Sequence, residues 1–339
     1  MLGTFRWSLA VIVTLSHLWF TGEIRYDGIA AVFGFFLLSG YLMTAVINRT
    51  YFFTPGGVGR YALNRFLRIY PTYWFVLILT IPVLIWFRKD DYFMNYRWVM
   101  PDGISDWLPN IFIFGLLDGP TRTVVPPAWS LDIELVFYIL MGLGLSRGRP
   151  IVVAWFLASF AYTVWLVISG ADIVDRYATY AAASLPFSLG AMAYMYRDAL
   201  KQYLCLPLPL AAGIFVFVVV GARLHWLGDP TGSGFYLHLL SVFLLLISLN
   251  SVDFKSLPGF VRKTDKLLGE LAYPVFLCHW MVGTLVLHFV FASKKPDGGA
   301  LWMVSIVVIH ILSLFVYYLV DHNVNRLRDK VRGAKRVEL

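Results

Sequence analysis

The sequence predicts an all-α protein: a polytopic membrane helical bundle of about ten transmembrane helices, with both termini cytoplasmic. Three observations carry that expectation. Of 339 residues, 59% are hydrophobic and only 14% are charged, too few charges to cover a water-facing surface, since soluble domains carry about 25%. Apolar runs such as 151–168 and 301–320 are nearly free of charge and long enough to cross a bilayer. The basic residues sit between such runs instead of forming one patch, which is how loops orient a membrane protein.

Spans are predicted at about 5–21, 28–48, 69–87, 129–145, 150–168, 177–196, 204–221, 234–250, 271–291 and 300–320. The first apolar run lacks a small-x-small cleavage site and is broken by His17 and Trp19, so it reads as a retained span and not as a signal peptide. Arg6, loops 49–68, 146–149, 197–203 and 251–270 and the C-terminal tail together hold 19 of the 28 Lys and Arg residues, leaving 9 on the opposite side. Positive charge stays inside, which makes that side cytoplasmic. The domain reading is a transmembrane domain over 1–322 and a basic cytoplasmic tail over 323–339. The net charge of +8 therefore speaks for membrane orientation, and no nucleic-acid partner is expected. Cys205 and Cys278 give neither a disulfide framework nor a metal spacing.

The exception to short connections is 88–128, expected on the outer side. It carries Tyr92, Phe93, Tyr96, Trp98 and Trp107, then an apolar run over 111–117. That run is too short to span, so a re-entrant or interfacial segment is predicted. Loops of this length are often functional.

Ionisable groups inside a bilayer are expensive, so each one needs a reason. Arg6 and His17 stand eleven residues apart in the first span, close to three whole turns, so they share a face about 16 Å apart along the axis. They read either as a snorkelling arginine with a hydrogen-bonded core histidine or as a functional pair. Span four opens Trp129-Ser130-Leu131-Asp132-Ile133-Glu134. Ser130 and Asp132 read as helix caps. Glu134 lies about 8 Å inside the helix, too deep for a cap, and at an expected depth that pairs it with His17.

In Arg65-Phe66-Leu67-Arg68-Ile69-Tyr70-Pro71 the two arginines share a face just before span three. Guanidinium groups grip phosphates in bidentate fashion; positive-inside anchoring is the alternative. Pro71 reads as the bend into the span. Gly34 to Tyr41 brings small residues mid-span, a pattern of close helix packing. His279, about 12 Å inside span nine, reads as a second polar group of the cavity or a satisfied core histidine. Ser39, Trp129, Ser130 and His279 are the candidate cavity-lining residues. The other five histidines are given no role, and no metal site is expected.

Taken in order, these blocks resemble the acyltransferase-3 family of multi-spanning membrane O-acyltransferases. The resemblance runs over about residues 3–322 and rests on Arg6-x10-His17, GFFLLSGYL at 34–42, RFLRIYP at 65–71, WSLDIE at 129–134 and YPVFLCH at 273–279. It implies transfer of an acyl group, commonly acetyl, from cytoplasmic acyl-CoA to a hydroxyl of a surface glycan or lipid-linked glycan precursor. It implies that Arg6 and His17 are the central functional pair and that Arg65 and Arg68 handle the acyl donor. Many relatives carry an appended extracytoplasmic hydrolase-like domain; the chain ends about 20 residues after span ten, so that domain is expected to be absent. WSLDIE departs from many relatives in having Leu135 where they carry a paired acidic residue or Gln.

The mechanism this suggests makes His17, Glu134 and Arg6 the catalytic residues. Arg65 and Arg68 hold the CoA phosphates, and His17 is the general base or transient nucleophile. Glu134 orients its imidazole as the acid does in a triad. The expected partners are acyl-CoA, the glycan acceptor and membrane lipid, with no tightly bound cofactor and no metal. The expected location is the bacterial inner membrane. The rival reading is a secondary transporter or flippase using the same buried charges, but such proteins often show repeated halves, and the sequence has no internal repeat.

Overall fold

The protein is described by a computed structural model over residues 1–19, 26–87, 98–117, 122–224, 226–227, 232–294, 296 and 298–332. It is 82% helical, and no strand occurs among the described residues. The helices are α1 (Leu2–Leu18), α2 (Tyr26–Val46), α3 (Pro55–Trp86), α4 (Ile104–Phe112), α5 (Trp129–Leu140), α6 (Arg149–Ile168) and α7 (Tyr180–Met195). They continue with α8 (Arg197–Leu204), α9 (Leu208–Arg223), α10 (Ser233–Ser251), α11 (Gly259–Phe289), α12 (Ala300–Val316) and α13 (His322–Arg332).

Each segment read as a span has a helix at its place. Among the described residues, seven helical stretches are long and apolar enough to cross a membrane, and the α8–α9 pair, bent by 87°, adds an eighth if it counts as one span. The expectation of ten differs because α1, α7 and α9 have only 17, 16 and 16 residues, short of the roughly 20 that a full crossing takes.

Polarity is distributed as in a membrane bundle. The outward faces of α6 and α12 carry Leu157, Phe160, Trp165, Val307, Ile311 and Phe315, all exposed, while Arg65, Arg68, Asp132, Asp265, Asp321 and Arg328 are buried. Hydrocarbon tolerates the first set, and the second finds partners only inside the protein.

Helix α1 sits against α11 and α2. Its N-terminal N–H groups, orphans at any helix start, donate to the Asp265 carboxylate from Gly3 (3.3 Å) and Thr4 (2.8 Å). Between α2 and α7 the backbones approach so closely that a Cβ on Gly190 would stand 2.0 Å from the Leu37 carbonyl oxygen, and one on Gly40 2.1 Å from that of Phe187. The small-residue stretch Gly34–Tyr41 thus serves packing at Gly40, as expected.

Three boundaries differ from the sequence reading. Helix α3 starts at Pro55, where Thr54 caps it by accepting from Gly57 N–H. Arg65 and Arg68 are therefore inside a helix and buried, and the helix runs through Pro71 without ending. Likewise α11 starts at Gly259, inside what reads as a loop. The tail read as starting at 323 is, over its described part, the packed helix α13; 333–339 lies outside the described residues.

In 88–128, residues 88–97, with Tyr92, Phe93 and Tyr96, and 118–121 lie outside the described residues. The rest forms α4 and a buried turn. The last carbonyls of α4 would be orphans, but Tyr73 OH donates to Asn110 O, Trp74 Nε1 to Ile111 O (2.9 Å) and Tyr70 OH to Phe112 O (2.7 Å). These donors stand 12 to 16 residues from the end of α3, so the tip of the segment lies roughly 20 Å in from that end. It enters the bundle and turns back. At the tip, Ile113 takes φ 71° and Gly115 φ 84°, and the Asp132 carboxylate accepts from Gly115 N–H (2.9 Å) and Leu117 N–H (3.1 Å). Asp132 thus caps the re-entrant turn and not its own helix. Ser130 also fails as a cap, because its hydroxyl donates back to Pro127 O (3.0 Å).

Gly190→Leu should lower the detergent melting temperature and yield, since overpacking costs about 1–3 kcal/mol. Gly213→Ala, which meets nothing within 4 Å, should not. Equal stability of the two variants would contradict the packing described. For the re-entrant turn, Asp132→Ala should raise the rate at which a thiol reagent labels Leu116→Cys by roughly tenfold or more, since charge-assisted hydrogen bonds of about 1.5–3 kcal/mol are lost. An unchanged labelling rate would mean that Asp132 does not hold the turn.

Candidate active site

Two buried polar centres lie along α1, one near each end. At the His17 end, His17 meets His279 of α11. Their Nδ1 and Nε2 atoms are 2.9 Å apart, with the rings nearly parallel. The proton positions follow from the third member. His279 Nδ1 lies 2.6 Å from Phe276 O, and a carbonyl only accepts, so Nδ1 carries a proton. In a neutral imidazole, Nε2 of His279 is then an acceptor, and His17 Nδ1–H donates to it. Neutral His17 is left with its lone pair on Nε2, the form a general base needs. The Trp280 ring lies 5.3 Å from that of His17, and Trp98 lies 6.4 Å from Trp280, so aromatic faces line this end.

Glu134 does not supply the partner to His17 that the sequence predicts. Its oxygens accept from Ser39 Oγ and Tyr138 OH, both at 2.8 Å, and it lies within electrostatic range of Arg6 and Arg65. The physical reason is the start of α5. A buried turn, Pro126–Ala128, precedes Trp129, so the helix begins well inside the bundle and Glu134 falls deeper than a boundary start would place it.

Glu134 belongs to the second centre, built around arginines. Arg68 Nη1 donates to Glu270 (2.7 Å), which also accepts from Asn325 of α13 (3.3 Å). Arg65 donates to Asn64 Oδ1 (2.8 Å) and contacts Met43 Sδ (3.3 Å). Asn64 in turn donates to the Arg328 carbonyl (3.3 Å), and the Arg328 guanidinium donates to Asn325. Asp321 accepts from Thr72 (2.7 Å). Arg6 lies within electrostatic range of Arg68, Glu270 and Glu134, yet among the described residues it makes no hydrogen bond or ion pair.

Four guanidinium groups here face three carboxylates, Glu134, Glu270 and Asp321. Among the described residues, the buried Nε atoms of Arg65 and Arg328 have no hydrogen-bond partner. Buried donors seldom stay unpaired, and a cluster with surplus positive charge and open N–H groups fits a multiply charged anion such as a phosphate.

Comparison with known proteins decides what the two centres belong to. A family model described as an acyltransferase domain, Acyl_transf_3, matches residues 3–322. The chain belongs to this acyltransferase family. No curated protein and no solved structure gives a match. Family and fold together make the chain an integral multi-pass membrane acyltransferase.

In this acyltransferase the residues read from sequence fall into three groups. His17 and His279 come together, as do Arg6, Arg65, Arg68, Glu134 and Ser39. Trp129 packs on Tyr177 at 5.1 Å, and Ser130 donates back to Pro127 O. Sequence reasoning missed Glu270, Asn325, Arg328, Tyr138 and Trp280. The weak signal for Glu270 was a carboxylate three residues before the YPVFLCH block; Arg328 counted only as tail charge.

The two arginines of RFLRIYP should answer differently to truncation. Arg65→Ala removes a group whose side-chain partners, Asn64 and Met43, are both neutral, and the fold should survive. Arg68→Ala leaves the half-buried Glu270 without the cation it pairs with, and should cut yield and melting temperature. Adding Glu270→Gln to Arg68→Ala should recover most of that stability, and no recovery would show that the pair is not coupled.

Proposed function

We propose that the acyltransferase moves an acyl group, acetyl first among candidates, from cytoplasmic acyl-CoA to a hydroxyl of a surface glycan or lipid-linked glycan precursor. The observation that carries this reading is that a single helix, α1, holds Arg6 in the arginine centre and His17 in the histidine pair. Eleven residues separate them by about 16 Å, a reach suited to an extended pantetheine arm. In this reading Arg6, Arg65, Arg68 and Arg328 receive the CoA phosphates, with Glu134 as buried counter-charge. His17 Nε2 takes the proton of the acceptor hydroxyl as its oxygen attacks the thioester carbonyl. The new C–O bond forms, the C–S bond breaks, and the proton passes from the imidazolium to the departing CoA thiolate. His279, accepting from His17 Nδ1–H, takes the orienting role that the sequence reading gives to Glu134.

The charge split of 19 to 9 supports both termini on the cytoplasmic side, and the bacterial inner membrane is the location we assign. The hydroxyl then arrives from the opposite side, past Trp98 and Trp280.

Mass spectrometry of surface glycans from cells with and without the chain should show a difference of one acyl unit. No such difference in any glycan would overturn the acceptor assignment. His17→Gln should abolish transfer at unchanged abundance, and a well-expressed His17→Gln protein that still acylates would refute the base. With purified protein, Arg65→Ala should raise KM for acetyl-CoA roughly 10- to 100-fold, the loss of one charge-assisted contact. Arg65→Lys should recover part of that. An unchanged KM would exclude Arg65 from the donor site.

A further inference from the structure

The bend between α8 and α9 makes a second kind of site. With the two axes at 87°, an α9 that follows the bilayer normal lays α8 in the plane of the interface. The α8 sequence suits that place. Ala199, Leu200, Tyr203 and Leu204 form an apolar stripe, Arg197, Asp198 and Lys201 lie off it, and none of the helix is buried. This is the pattern of an interfacial amphipathic helix.

On one side of α8 lies a pocket of about 300 Å³, bounded by Tyr41, Arg49, Arg197, Asp198, Lys201 and Asn250. Its two arginines are held on one buried ring. Arg49 Nε donates to Tyr194 OH (3.0 Å), Arg197 Nη1 donates to Tyr194 O (3.2 Å), and the two guanidinium carbons stand 5.3 and 5.0 Å from the Tyr194 centroid. Lys201 lines the same pocket, so three cations gather at one mouth, and their summed potential attracts an anion. The local carboxylate, Asp198, is 3.7 Å from Arg197 and its side chain is 86% exposed.

On the other side of α8 lies a groove of about 270 Å³, lined by Phe156, Leu189, Met192, Tyr203 and Phe243, and Leu200 borders both spaces. A molecule with an anionic head and a hydrocarbon tail fits this pair of spaces, and neither free phosphate nor a nucleotide uses the groove. We propose that α8 is the saddle of an anionic phospholipid site. The lipid phosphate sits among Arg49, Arg197 and Lys201, and one acyl chain crosses Leu200 into the groove. The proposal needs only the membrane setting and is independent of the transfer chemistry.

Native mass spectrometry of the detergent-purified full chain tests it, with phosphatidylglycerol and phosphatidylcholine of identical chains as probes. Wild type should retain phosphatidylglycerol in preference by roughly tenfold. The Arg197→Gln/Lys201→Gln variant should lose the preference, and Lys201→Glu, at an exposed position that leaves folding intact, should weaken it. A phosphatidylglycerol carrying a photoreactive acyl chain should crosslink to residues of the groove. Equal retention of the two lipids, a preference that survives both variants, crosslinks elsewhere, or displacement of the lipid by excess CoA would each overturn the proposal; the last would make the pocket a nucleotide site.

Discussion

A guanidinium group taken into a bilayer must find its counter-charge and its hydrogen-bond acceptors inside the protein, and much of this structure follows from that. Arg6, Arg65, Arg68 and Arg328 converge from α1, α3 and α13 on Glu134, Glu270 and Asp321 from α5, α11 and the chain leading into α13. No helix of the group satisfies its own charges. Removing any one element would strand charges on the others, and that binds this end of the bundle into one unit more firmly than apolar contact can, since lipid competes for apolar surface on equal footing. The surplus of positive charge leaves the cluster electrostatically incomplete by itself, a setting that attracts an anion.

The re-entrant segment solves a backbone problem in the same spirit. Its carbonyl groups end in the interior, where no water can solvate them, and α3 supplies Tyr70, Tyr73 and Trp74 at helical spacing to meet three consecutive carbonyls. Asp132 meets the N–H groups that follow. Because Glu134 is two residues beyond Asp132, the same short helix that anchors the turn sets the depth of the carboxylate in the arginine centre. The strained φ of Ile113 is held in place by this ring of hydrogen bonds.

The histidine pair works at the other end of α1 by a different logic. Here no formal charge is needed in the resting state. A single carbonyl, Phe276 O, fixes the tautomer of His279, which fixes that of His17, and the lone pair is directed through two rings onto Nε2. A carboxylate in the same place would bind the imidazolium more strongly. A neutral histidine supports it less and costs less to bury.

Composition alone determined that this chain lives in a membrane, because 14% charged residues cannot cover a water-facing protein of this size. Helical period alone put Arg6 and His17 on one face of one helix, since eleven residues are three turns whatever surrounds them. It also made 111–117 too short to cross. What the sequence did not hold was the choice of partners. His17 and His279 are 262 residues apart, as are Gly3 and Asp265, and no local pattern relates them. Glu134 was expected beside His17 because depth was counted from an assumed boundary, and the buried turn ahead of Trp129 moved that origin. Arg328 counted only as tail charge, and Asn325 carried no signal, until α13 packed on α3. Side-chain spacing along a helix is set by the chain itself, whereas the depth of a helix start and the neighbour it meets are set by the packing of other helices, so only the tertiary structure could decide them.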